Sequence, residues 1–341
     1  MTEEKKILVT GATGFLGAYL VRLLLMKGYK VRGLKRSTST FELLEDIHDK
    51  IEWAVADITD IVGLEDAFEG ITHVCHCAAT VSFHPRDFRA MHVTNVTGTA
   101  NIVNLCLDKN IRKLIHVSSI AALGRSRERL ELDEKCPWIE SKDNSNYAIT
   151  KHLSELEVWR GVAEGLSAAI VLPSVIVGSQ AWDEGMAVFF QKIDRGLKFC
   201  PTGKSGFVDV RDVAHFMEIL LQRDITNERF ILNAVNSTHR DFFGMIAASL
   251  DVSPPPIKIG PLLAEVAWRV EWLKEKLLHV KPMATKESAR ASVTNYVYQN
   301  GKSLSVPDFA YRPFQQTIRE TAIQYKKAKE NGFMPSLLDF P

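Results

Sequence analysis

Short β-branched runs alternate with apolar residues at helical spacing through the first half of the chain. The pattern predicts strands at 7–10, 30–34, 51–55, 73–77, 113–118 and 168–172. Between them it predicts helices at 16–27, 61–68, 93–110 and 147–164, with a weaker helix near 40–48. Strands separated by helices must be joined by crossovers, which makes them parallel neighbours in a doubly wound α/β sheet.

After about Gly178 the alternation fails, and helices, loops and short strands such as 228–233 mix. A smaller, mixed C-terminal lobe is expected there. The run Ser253-Pro254-Pro255-Pro256 reads as a rigid turn or linker, because consecutive prolines cannot donate hydrogen bonds. Residues 314–331 form a closing helix in this reading. The stretch 262–278 is apolar but broken by Glu265, Arg269, Glu271, Lys274, Glu275 and Lys276, so it cannot cross a bilayer. It reads as an amphipathic helix packed on the small lobe, with a pocket-entrance or membrane-surface role as the alternatives.

Composition narrows the partners. The 341 residues hold 42 Lys plus Arg against 41 Asp plus Glu, so no basic footprint for nucleic acid exists and small molecules are the expected partners. Five cysteines, without a repeated metal spacing, suit reduced thiols and a cytoplasmic setting better than a disulfide framework. The charged start of the chain, Met1 to Lys6, lacks the apolar run of a leader. Cys75-His76-Cys77 does not suit a metal, since successive side chains on a strand point to opposite faces; no metal site is expected.

The first strand runs into Gly11-Ala12-Thr13-Gly14-Phe15-Leu16-Gly17 and then a helix. Glycines there let backbone approach a pyrophosphate, whose charge the helix N-terminus favours. The sheet is therefore of Rossmann type, with residues 1–178 as its dinucleotide-binding domain. Segments such as 206–234 are expected to return to it, and 179–341 forms mostly the substrate lobe. At the end of the second strand, where an acid would bind the ribose 2′-OH, stand Lys35, Arg36 and Ser37. Two cations and a hydroxyl suit a 2′-phosphate, which favours NADP(H) over NAD(H).

Tyr147 and Lys151 are four residues apart at the start of a predicted helix, hence on one face. A phenol, with an ordinary pKa of about 10, becomes a usable acid or base when a neighbouring ammonium stabilises its anion. The strand ending in Ser118-Ser119 places a hydroxyl at the carboxyl edge of the sheet, where ligands bind.

Five landmarks in order then make the chain resemble the extended short-chain dehydrogenase/reductases. They are the 11–17 glycine loop, Asp57-Ile58, His76-Cys77-Ala78-Ala79, Ser119, and Tyr147 with Lys151. Asn95 within Asn95-Val96-Thr97-Gly98-Thr99 and the 206–214 segment also resemble family patterns. The resemblance implies Ser119, Tyr147 and Lys151 as catalytic core, with Asn95 either supporting a proton relay or serving as an internal hydrogen-bonder. It further implies cofactor contacts from Gly11, Thr13, Gly14, Phe15, Leu16 and Gly17, from Asp57 and Ile58 at the adenine, and from Ala78 and Ala79. Val117, Pro173 and Val175 complete that set, and Lys151 also binds the nicotinamide ribose. A homodimer is a family expectation.

Within the family, residues 79–83, Arg36 and 172–178 resemble the dihydroflavonol 4-reductase branch. Leu172 stands where nucleotide-sugar enzymes often carry Arg before the proline. The leading expectation is hydride exchange with a ketone, aldehyde or secondary alcohol, Tyr147 handling the proton. The alternatives are a nucleotide-sugar epimerase or dehydratase that recycles its cofactor, and a dinucleotide-sensing or protein-binding module without turnover. Phe83, Leu123, Trp182, Met186, Phe189, Phe190 and Phe207 are the candidate pocket residues, each of them also a candidate for plain core packing.

Overall fold

The computed structural model describes residues 5–124, 129–278, 282 and 285–340; most of the charged start of the chain lies outside them. Its centre is a seven-stranded parallel sheet of β1 (Lys6–Thr10), β2 (Lys30–Lys35), β3 (Glu52–Val55), β4 (His73–His76), β5 (Lys113–Val117), β6 (Ala168–Pro173) and β7 (Glu228–Leu232). The spatial order is β7-β6-β5-β4-β1-β2-β3. The chain therefore winds outward from β1 through β3, returns to β4 beside β1, and winds out the other way. The reversal opens a crevice beyond the carboxyl ends of β1 and β4, and the glycine loop follows β1 directly.

Alternation within each strand divides the core. Ile7 and Val9 of β1 pack with α1 (Phe15–Met26) on one face. Leu8, between them, faces α2 (Gly98–Asp108) and α3 (Asn146–Ala163) on the other. Each fully buried residue of this kind contributes roughly 1.5–3 kcal/mol relative to exposure. Helix α4 (Val210–Gln222) joins the α1 face through Val210, Val213, Phe216 and Met217, so the chain returns to the large domain before adding β7.

Two segments depart from the periodicity. Residues 40–48 form turns closed by hydrogen bonds of the i to i+3 type, such as Leu44 N to Phe41 O, and not an α-helix. Phe41 stacks between His48 and Trp53, which holds the segment against β3. The expected helix at 93–110 opens with a π-turn, Val93–Thr97, in which the Thr99 hydroxyl donates to Asn95 O at 2.6 Å. Gly98 is pressed on Ile58, with a Cβ there falling 2.6 Å from its Cδ1.

The second lobe is built on a three-stranded sheet of Val175–Val177, Lys204–Asp209 and Val235–Thr238. Its core is aromatic: Phe207 stacks on Phe242 of α5 (His239–Leu250) at 4.5 Å, while Trp182 and Phe190 meet Tyr325. Helix α6 (Pro261–Leu278) follows, and α7 (Phe314–Glu330), which carries Tyr325, closes the lobe. Buried Asp209 caps α4 by accepting from Arg211 N and also holds the Arg211 guanidinium at 2.7 Å. Thr317 and Glu320 of α7 complete this clasp. The amphipathic reading of α6 holds, but it covers the lobe only with the side bearing Ala264; Leu262, Val266, Val270 and Leu273 stay exposed. Among the described residues no helix is long and apolar enough to span a membrane.

Candidate active site

At the crevice the glycine loop is locked by its own packing. Gly11 has φ +65°, and a Cβ on it would lie 2.8 Å from Ala78 N. A Cβ on Gly17 would lie 2.0 Å from Gly11 O, so α1 approaches the loop as closely as backbone allows. Gly14 caps α1 with no side chain to accept its first N–H groups. Those groups have no intrahelical acceptor and suit an anion. They border a cleft of about 290 Å³, lined also by Thr13, Phe15, Leu16, Ala78, Ala79 and Asp57. The donor set and the glycine cradle fit the pyrophosphate of a dinucleotide.

The far end of this cleft is set by the end of β2. Lys35 and Arg36 line it together with Ser39, which accepts from Arg36 N at 3.1 Å; Ser37 is exposed and does not line the cleft. The Lys35 ammonium lies 5.1 Å from the Phe41 ring centre. Asp57 Oδ1 accepts from Thr59 N and Oγ1 at 2.9 and 2.7 Å. These bonds, with help from Arg36, hold its carboxyl below the usual range. Ile58 is buried at the same rim.

The reactive groups converge between β5 and α3. Ser118 and Ser119 separate sharply: the Ser118 hydroxyl donates to Glu155 Oε2 at 3.0 Å, whereas the Ser119 hydroxyl lies on the Tyr147 side, near enough to lower the phenol's pKa. Ser119 Oγ also accepts from Ala121 N at 3.1 Å, which fixes its rotamer. Tyr147 sits in the first turn of α3, which Ser145 caps through Ala148 N. The residue is half-buried, with its hydroxyl at the enclosed end. Desolvation there pushes the phenol up to about 12, and the neighbouring Ser119 hydroxyl pulls the other way.

One turn on, Lys151 is 2% exposed and donates from Nζ to Val117 O at 2.8 Å. Val117 thus enters the site as the anchor of the lysine. Burial pushes the amine down to about 8, against the attraction of Glu155 and then Cys77. Glu155 is itself held by Arg229 of β7 at 2.7 Å.

Asn95 is 1% exposed, and its amide is engaged within the protein. It donates to Thr80 O and Thr150 Oγ1 and accepts from Thr80 N at 2.7 Å, which ties the segment after β4 to the first turn of α3. Its backbone carbonyl ends a directed chain. Because the Thr99 hydroxyl donates to Asn95 O, Thr99 Oγ1 must accept from His76 Nε2–H, 3.0 Å away. His76 Nδ1 is then the acceptor for the Thr10 hydroxyl at 2.7 Å, and Thr10 Oγ1 takes the Ala78 N–H at 3.2 Å. The imidazole is neutral, burial pushing it down to about 3.

Of the candidate pocket residues, Phe83 meets the Tyr147 ring edge-on at 6.2 Å. Met186 and Phe189 are half-buried at the margin of the second lobe's core, whereas Trp182, Phe190, Phe207 and Leu123 are buried in packed cores. Pro173 ends β6, and Val175 begins the adjoining strand. Between them the Ser174 hydroxyl is buried without a protein partner among the described residues. The periodicity gave no sign of Thr10, His76, Thr99 or Arg229 as supports. Glu155, four residues after Lys151, carried a local signal in that spacing.

Comparison with known proteins agrees with the fold. The model of the NAD dependent epimerase/dehydratase family matches residues 7–233. Sterol demethylase protein B of Methylococcus capsulatus is 33% identical over 265 residues, 76% of this chain and 78% of the relative. A Synechocystis protein named after dihydroflavonol 4-reductase is 30% identical over 308 residues, 87% of each chain. Cinnamoyl-CoA reductase 1 of Oryza sativa is 30% identical over 246 residues, 67% of this chain and 71% of the relative. The crystal structure of gox2253 superposes with a TM-score of 0.82 at 29% identity, covering 97% of this chain and 100% of the other.

Proposed function

The chain belongs to the NAD dependent epimerase/dehydratase family, in the dihydroflavonol 4-reductase-like branch of the extended short-chain dehydrogenases, and on that premise we propose that it is an NADP(H)-dependent carbonyl reductase. The observation that carries the reading is the joined placement of Ser119, Tyr147 and Lys151 at the carboxyl edge of the sheet. A proton-transfer group needs both a path and a partner. Tyr147 has Ser119 as the neighbour that lowers its pKa, and its helical turn is fixed by Ser145.

Held by the glycine loop and Lys151, a nicotinamide dinucleotide would supply or accept the hydride exchanged with the substrate carbon. Ser119 orients the substrate oxygen, and Tyr147 gives it a proton in reduction or removes one in oxidation. A phenol pushed up to about 12 holds its proton at neutral pH, as a proton donor must. Lys151, with its ammonium beneath the site on Val117 O, stabilises negative charge as it develops on Tyr147. Phe83 presents an apolar edge beside the phenol, so a ring or alkyl ketone suits the site better than a sugar nucleotide.

Arg36, with Lys35 and Ser39 at the end of β2, supports the choice of NADP(H), since no acid stands there to take a ribose 2′-OH. Following NADPH oxidation against sterol, phenolic and short aliphatic ketones tests the whole reading. Tyr147→Phe is expected to abolish turnover while cofactor still binds. Full turnover by that variant refutes the role given to Tyr147, and retained cofactor with no net NADPH consumption identifies internal recycling instead. Arg36→Ala is expected to raise the KM for NADPH by on the order of ten-fold or more and leave NADH nearly unchanged.

A further inference from the structure

Helix α6 exposes an apolar stripe that nothing among the described residues covers. At about 100° per residue, Leu262, Val266, Val270, Leu273 and Leu277 fall within one arc. They are 85%, 57%, 46%, 49% and 67% exposed, whereas Ala264 on the opposite side is 3% exposed. Scattered exposed leucines mean little, but a continuous stripe over four turns marks a surface that something covers.

The charges of the helix are sorted around this stripe. Arg269 and Lys276 border one edge and Lys274 the other, and all three are exposed. The acids are the more enclosed partners: Glu265 binds Arg290 and Arg269, each at 2.7 Å, Glu271 binds Lys274 at 2.8 Å, and Glu275 binds His84 at 2.8 Å. Side-chain exposure follows the same division, 57% for Arg269 and 52% for Lys274 against 16% for Glu271 and 17% for Glu275. The outward half of α6 is thus apolar in the centre, with its exposed cations at the edges and their acidic partners further in.

We propose that α6 is an in-plane anchor that docks the protein on an anionic lipid surface. An interfacial helix buries an apolar face at the level of the acyl boundary while flanking Lys and Arg meet anionic headgroups. A second copy of the chain is a poorer occupant, because a two-fold contact through this stripe would set the positive edges of the two helices near one another. The helix is also tied to the rim of the active site. Glu275 holds His84, the next residue after Phe83, whose ring meets Tyr147.

The test is co-sedimentation of the full chain with vesicles of phosphatidylcholine alone and of phosphatidylcholine with roughly one-third phosphatidylglycerol. Binding is expected to the anionic vesicles, weakened by salt, and to be at least about ten-fold weaker on neutral ones. The triple variant Val266→Ser, Val270→Ser, Leu273→Ser should lose more than about ten-fold of that binding while keeping the wild-type melting temperature, because these side chains are already exposed. The proposal is overturned by wild-type protein that stays in the supernatant, or by a triple variant that binds as well as wild type. Loss of a dimer in the triple variant, with no vesicle binding by wild type, overturns it in favour of a second copy. None of these readings depends on which carbonyl, if any, the site reduces.

Discussion

Replacing Lys151 by Met should remove a pH dependence of stability that the buried amine imposes. In the folded chain the lysine is pushed from its ordinary 10.5 down to about 8, chiefly by burial. Between those values the unfolded chain binds more protons than the folded one, so the free energy of unfolding rises with pH through that window. The shift corresponds to roughly 3 kcal/mol at 1.36 kcal/mol per unit, fully gained above the unfolded value and absent below about pH 8. The variant has no such titration. It leaves the Val117 carbonyl without its donor, a cost of roughly 1–3 kcal/mol that does not vary with pH.

The measurement is urea unfolding by tryptophan fluorescence at intervals from pH 7 to 10, in a Tyr147→Phe background. That background removes the phenol, whose raised value would act in the opposite sense above pH 10. The difference between lysine and methionine forms should grow in favour of lysine by roughly 2–3 kcal/mol over this range. Parallel curves, or a difference that shrinks as pH rises, refute the claim that burial governs Lys151. A constant denaturant slope ensures that the same transition is compared.

The adjacent serines should separate by assay. Ser119→Ala is expected to lower kcat by on the order of a hundred-fold with little change in melting temperature. Ser118→Ala should cost about 1 kcal/mol of stability through Glu155 and keep most of the turnover. Gly17→Ala places a Cβ 2.0 Å from Gly11 O, and calorimetry should show both loss of dinucleotide binding and a lower melting temperature. Arg211→Met strands Asp209, 1% exposed, without its countercharge, and denaturant unfolding should report a loss of roughly 3–5 kcal/mol. Nitrogen NMR should find His76 neutral with its proton on Nε2 at neutral and mildly acidic pH; a charged ring or the other tautomer breaks the Thr10 to Asn95 chain.

The sequence by itself determined the strands of the large sheet, the glycine cradle after β1 and the placing of Tyr147 and Lys151 one turn apart on a single helix. All three are short-range: alternation sets a strand's two faces, the turn of a helix brings residues four apart together, and a strand-to-helix turn needs its glycines locally. The tertiary structure decided what depends on distant neighbours. That Ser118 turns away to Glu155, itself held by Arg229 from β7, is set by residues far along the chain. His76 looked like part of a Cys-His-Cys cluster and became the middle of a chain joining the end of β1 to Asn95. Phe190 and Phe207 look alike in sequence to Phe83, yet packing of α5 and α7 buried them and left Phe83 beside the phenol. The same limit applied to α6, whose periodicity marked an apolar face without saying whether the fold would cover it. Burial is a property of what arrives from elsewhere in the chain, and nothing arrives over that stripe among the described residues.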